Sequence, residues 1–167
     1  LIHWKQVGHV LTRTSHLNLA NTKPSNGIYA PTIRYHEGIF YVVVTNVQGN
    51  KGYTNFYVTT TNPEGAWSDP IYYDQSGIDP SLFFDSDGKV YFQSNRATKP
   101  TDARAIYQSE IDIRTGKRLS DIKLIWKGSG GSYVEGPHIY NRNGWYYLLT
   151  AEGGTAYGHM VAIARSK

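Results

Sequence analysis

Three segments of the chain share one pattern of apolar and polar positions. Residues 27–42 read GIYAPTIRYHEGIFYV, residues 77–92 read GIDPSLFFDSDGKVYF and residues 134–149 read VEGPHIYNRNGWYYLL. Each holds a proline (Pro31, Pro80, Pro137), a short alternating run, a polar turn ending in glycine (Gly38, Gly88, Gly144) and an aromatic-rich run. Alternation of period 2 predicts a strand, and a polar turn closed by Gly between two such runs predicts a β-hairpin. Second strands are expected over 41–47, 91–97 and 146–151, and third strands over 55–61, 105–111 and 159–165. Fourth strands are expected over 67–73 and 123–128, and WKQVGHVL (4–11) reads as a further fourth strand with no three before it. No segment repeats with the helical period, so no helix is expected.

Units of four antiparallel strands, with prolines spaced by 49 residues (31 to 80) and 57 residues (80 to 137), predict the blades of an all-β propeller. A β-sandwich would also show many short strands, but it would not repeat in units of four. The chain then holds two complete four-stranded blades plus parts of two more. Since a propeller closes with about 4–8 blades, this is expected to be an internal section of a longer one. The first strand of each blade lies beside the propeller axis, so corresponding positions should meet at one mouth of the channel. The residues before the prolines are Ala30, Asp79 and Gly136, with Glu135 one step earlier. Asp79 and Glu135 are therefore expected to approach one another.

Composition narrows the function classes. Aromatic residues make up 14% of the chain, 14 of them Tyr, and only 18% are charged, which suits a packed strand protein and excludes a disordered one. There is no Cys, so disulfides and thiolate chemistry are excluded. No run of about 18 apolar residues exists, so no membrane-spanning helix is expected. The net charge is +4, but the basic residues are scattered singly, and no nucleic-acid surface is expected. The chain begins with Leu1 and shows no signal-peptide pattern, which reads as processing or as a piece of something longer.

Two convergent carboxylates in an aromatic-rich cleft are the minimal equipment for glycoside hydrolysis: one protonated to serve the leaving oxygen, another ionised. A plainer reading makes Asp79 a turn residue before Pro80 and leaves Glu135 in a Ser/Gly-rich loop. Asp85 and Asp87 fall in the turn DSDG, which lacks the spacing of a calcium loop. Asp69, Asp112 and Asp121 read as structural. The histidines show no metal spacing. His138, after Pro137 on an innermost strand, reads first as strand packing. Ser81 and Ser132 lack a nucleophile elbow.

The motifs GIYAPTIRYHEGIFYV, GIDPSLFFDSDGKVYF, VEGPHIY and TAEGGTAYGHMVAIARS (150–166) resemble those of glycoside hydrolase family 43, the five-bladed β-propeller β-xylosidases and α-L-arabinofuranosidases. The resemblance covers the whole chain and implies that 1–167 is a partial catalytic domain of that fold. It implies an inverting exo-pentosidase acting on xylan- or arabinoxylan-derived saccharides. Glu135 occupies the position of the general acid. Asp79 occupies that of the residue that holds and tunes the acid, and is expected to stay ionised. Tyr29, Ala30, His138 and Glu152 are the expected substrate-binding residues, Tyr29 standing where the family often has a sugar-stacking Trp. The family's general base, an Asp in a Pro-Asp-Pro context, has no counterpart here. The chain alone is therefore expected to be inactive, and a non-catalytic carbohydrate-binding fragment is the alternative. No cofactor is expected, since the central calcium of some members uses groups this chain lacks. The expected partner is a xylo- or arabino-oligosaccharide. The first blade's outward face and the edge of the last blade, with Val161 and Ile163, are expected to be open and to promote self-association.

Overall fold

The computed structural model describes residues 2–48, 52–96 and 104–167. Among them are twelve strands and no helix: β1 (Gly27–His36), β2 (Ile39–Val47), β3 (Tyr53–Thr60), β4 (Ile71–Tyr73), β5 (Ile78–Phe84), β6 (Val90–Arg96), β7 (Ala105–Asp112), β8 (Lys117–Arg118), β9 (Lys123–Trp126), β10 (Glu135–Arg142), β11 (Trp145–Glu152) and β12 (Met160–Ser166). They form three antiparallel sheets. The first runs β1-β2-β3-β4, the second β5-β6-β7 with β8 and β9 both on β7, and the third β10-β11-β12. These are the blades of a partial β-propeller.

Turn chemistry fixes the hairpins where the Gly signals stand. Glu37 and Gly38 both have positive φ (46° and 83°), as do Asn143 and Gly144 (54° and 72°). That is the two-residue turn whose twist matches flanking strands, and it pairs His36 with Ile39 and Arg142 with Trp145. The second hairpin is longer, closed by Asp85 and Lys89. Position 97, expected at the end of a second strand, lies outside the described residues.

Two apolar layers hold the first blade. Tyr41, Val43, Tyr57 and Tyr73 of that blade pack on Leu82, Val90, Phe92 and Ile111 of the second. The opposite layer holds Val42, Val44, Phe56, Val58 and Trp67, and Val10, Leu11 and Leu17 pack against it. This corrects two expectations. Residues 4–11 form no strand; the segment's apolar side chains find burial on the face of a sheet rather than through pairing at an edge. The first blade's outward face is consequently covered in part: Ile33, Tyr35 and Tyr72 on the same face stay 54%, 64% and 56% exposed. The fourth strand of that blade is also shorter than expected, since Pro70 has no N–H to give and Trp67 turns into the core, 4% exposed. The short β8 was not foreseen. It returns from the turn at Asp112–Gly116 and pairs Arg118 with Ile111.

Candidate active site

The three proline-bearing strands meet along one line, because β1 and β10 both pack against β5. Each carries the same irregularity. Register slips between Tyr29 and Thr32, between Ile78 and Ser81, and between Glu135 and His138. Within each bulge the residue before proline is left-handed, with φ of 42° at Ala30, 55° at Asp79 and 58° at Gly136. A bulge of this kind re-aims a side chain out of the ladder. All three positions accordingly line one cavity of about 460 Å³, with Arg34 and His138 on its wall. A larger cavity of about 910 Å³ lies between the second and third blades, lined by Phe83, Trp126 and Tyr146 among others. It does not include Asp79, and the smaller cavity, lined by Asp79 and by Gly136 next to Glu135, is the one that collects the chemistry.

Asp79 and Glu135 do come together. Gly136 donates its N–H to Asp79 Oδ2 at 3.0 Å, which sets the aspartate beside the residue that follows Glu135. Burial pushes the Glu135 carboxyl above its ordinary value, and the negative charge of Asp79 pushes it the same way; Arg104 and His159 pull against both. Asp79 is also raised, by burial, with the Gly136 N–H and Arg104 opposing. Burial thus works against the ionised aspartate expected from sequence, and the Gly136 hydrogen bond and the Arg104 charge work for it.

His138 has a defined role in the wall. Arg34 Nη2 lies 2.7 Å from His138 Nδ1. A guanidinium can only donate, so Nδ1 accepts and the imidazole proton sits on Nε2. Burial, then the charge of Arg34, lowers the His138 pKa, keeping the ring neutral. Arg34 Nε also donates to Leu82 O at 3.2 Å, so one side chain of β1 touches both β5 and β10. Sequence reasoning missed Arg34, which reads as an outward polar residue in an alternating strand. It missed Arg104 too, which belongs to no motif.

Tyr29 and Ala30 divide. Ala30 lines the cavity. Tyr29 stands one residue earlier, 36% exposed, with its hydroxyl donating to Ser25 O at 2.6 Å. Glu152 is a correction. Its side chain is wholly buried, at 0% exposure, and cannot meet a ligand. Its oxygens accept from Ser129 N (2.9 Å), Ser129 Oγ (2.9 Å), Gly131 N (3.3 Å) and Trp126 Nε1 (3.2 Å). Burial alone would raise this carboxyl, but the bonds from Ser129, Trp126 and Gly131 together outweigh it and hold the pKa below the ordinary value. Glu152 fastens the crossover that leads from β9 into β10, and so to Glu135.

Fold and site together define a class: an all-β partial propeller that brings an aspartate and a glutamate to the meeting line of its inner strands. Known proteins place it more narrowly. The profile described as "Glycosyl hydrolases family 43" matches residues 1–167. The chain is 44% identical to a xylosidase/arabinosidase of Butyrivibrio fibrisolvens, covering 100% of this chain and 33% of that protein. It is 43% identical to a non-reducing end alpha-L-arabinofuranosidase of Bacteroides ovatus, covering 100% of this chain and 31% of that protein. The solved structure of the xylan beta-1,4-xylosidase from Bacillus halodurans C-125 superposes with a TM-score of 0.89 at 42% identity, over 98% of this chain and 33% of that one. The chain belongs to the glycosyl hydrolases of family 43, and it spans about a third of the length of these relatives.

Proposed function

We propose that this chain is the acid-bearing section of an inverting exo-pentosidase of β-xylosidase or α-L-arabinofuranosidase type. Glu135 is the general acid that protonates the leaving glycosidic oxygen. Asp79 holds the neighbouring backbone and keeps the glutamate protonated until it is needed. The general base comes from outside these residues: among the described carboxylates, Asp79 alone lines the cavity, with Glu135 beside it. The single observation that carries the reading is the bond from Gly136 N–H to Asp79, which sets the aspartate beside the backbone of Glu135 in a half-buried mouth, where burial first and the Asp79 charge second raise the glutamate. A neutral His138 with its proton on Nε2 offers a donor to a sugar hydroxyl on the cavity wall. Inverting hydrolysis asks for two carboxyl groups and a water, so no cofactor enters the proposal.

The test is a chimera in which these 167 residues replace the matching third of the Bacillus halodurans enzyme. It should hydrolyse aryl β-xylosides or α-L-arabinofuranosides, with the preferred sugar settling the type. Glu135→Gln in the chimera should cut kcat by about 10²–10⁴-fold on substrates with poor leaving groups. An unchanged rate would remove Glu135 from the acid role. The 167-residue chain alone should show no turnover.

A further inference from the structure

Behind the carboxylate pair lie two residues that the proposed reaction does not use. Asn95, on β6, stands directly opposite Ile78, the residue before Asp79. It is 1% exposed. Its Nδ2 donates to the carbonyl of Val134, the residue before Glu135. One amide therefore joins the ladder position beside the first carboxylate to the backbone beside the second. Gly77 makes room for this arrangement, since a Cβ there would overlap the Asn95 carbonyl.

The other end of that amide faces Arg104, whose Nη1 lies 3.4 Å from Asn95 Oδ1. The bond is long, so its value lies in direction: a guanidinium only donates, which fixes the oxygen of Asn95 towards Arg104 and the NH₂ towards Val134. Arg104 immediately precedes β7. The charged groups acting on Glu135 are Asp79 from β5, Arg104 before β7 and His159 before β12. On Asp79 the charged group is again Arg104, beside the hydrogen bond from the Gly136 N–H of β10. Arg104 is the side chain common to both.

Resting on the reading of Glu135 and Asp79 as acid and partner, we propose that Arg104, oriented by Asn95, is a positioning residue of the pair. Asn95 sets the spacing of the two strands, and the guanidinium is the shared counter-charge that lets two carboxylates stand side by side in a partly dry mouth. Two like charges in such a place each disfavour the ionised form of the other, and a permanent cation held nearby on Asn95 offsets that for both.

The experiment follows the side-chain carboxyl carbons of Asp79 and Glu135 by NMR across acidic to neutral pH in the 167-residue chain. It compares the parent with Arg104→Met, Arg104→Gln and Arg104→Lys. Both midpoints should rise by about 0.5 unit or more in the two neutral variants, and Lys should restore most of the parent values. Packing alone would make Lys behave as Met does. Arg104→Gln retains a donor for Asn95 and serves if the Met variant fails to fold. Midpoints within about 0.2 unit of the parent in a folded neutral variant, or a Lys variant that matches Met, would overturn the proposal. Hydrolysis does not enter this test. An unmoved titration leaves the hydrolase reading standing, and a chimera indifferent to Glu135→Gln leaves the charge coupling standing.

Discussion

Replacing Glu152 with Gln changes one oxygen of a fully buried carboxylate into an NH₂ and leaves its volume alone. In the parent, Oε2 accepts from Ser129 N, Ser129 Oγ and Gly131 N, while Oε1 accepts from Trp126 Nε1 and Ser129 N and more distantly from Thr150 Oγ1. Whichever way the amide turns, its own N–H groups face a donor. With the amide nitrogen at Oε1, the Trp126 indole loses its partner; at Oε2, the Gly131 N–H does. A buried donor left unpaired costs about 1–3 kcal/mol. The surviving bonds also lose the charge that makes them roughly twice as strong as neutral ones, about 1 kcal/mol more. The sum is a destabilisation of about 2–4 kcal/mol. At this chain length that lowers Tm by about 5–15 °C. Urea unfolding followed by tryptophan fluorescence reads it directly, because Trp126 is one of the partners. The effect has a sign in pH. The folded carboxyl lies below its ordinary value of 4.5, so its stabilisation is present above that value and disappears as pH falls through the folded pKa. Parent and variant should therefore differ most near neutrality and converge in acid. A Glu152→Gln protein within about 0.5 kcal/mol of the parent at pH 7 would show that the clasp on 129–131 is not what holds this crossover.

Other outcomes are expected. Ala30 carries a left-handed φ of 42°, so Ala30→Gly should relieve strain and stabilise the chain by up to about 1 kcal/mol, read from the urea midpoint. Glu135 behaves oppositely to Glu152: its raised folded pKa means stability increases as pH falls through that value, and Glu135→Gln should flatten this limb of the stability–pH curve. The outer edge of β12 has no ladder partner among the described residues, and Val161 and Ile163 are 65% and 69% exposed beside it. Sedimentation should show self-association of the chain, reduced by Ile163→Lys; a dilute monomer in both proteins would refute the open edge as its cause.

The hairpins were legible in the chain because their signals are local. Gly38, Gly88 and Gly144 each follow a polar residue and separate alternating runs, and the three prolines expose the repeat that brings Asp79 and Glu135 together. WKQVGHVL misled because alternation looks the same whether a segment pairs at an edge or lies across a face, as Val10 and Leu11 do. Glu152 misled because its motif sits near the axis, while its burial depends on a crossover loop that folds back over it. Arg34, Asn95 and Arg104 carry no pattern. Their roles arise from contacts across 104, 39 and 9 residues of chain, which only the packed blades reveal.

The three bulges give the propeller's inner ring a property of its own. Backbone direction at positions 30, 79 and 136 is settled by register slip and proline, and the side chain is left free to vary: a methyl, a carboxylate and a bare hydrogen occupy equivalent mounts over one cavity. Charge can therefore be moved around the axis by exchanging one side chain, with no loop rebuilt and no ladder re-registered. Ala30→Asp would set a new carboxylate towards the cavity that Asp79 already faces. A repeated blade thus supplies a fold with vacant sockets as well as with bulk. The left-handed geometry, a burden of about 1–2 kcal/mol for a residue other than Gly, is the condition on which each socket stays available for new chemistry.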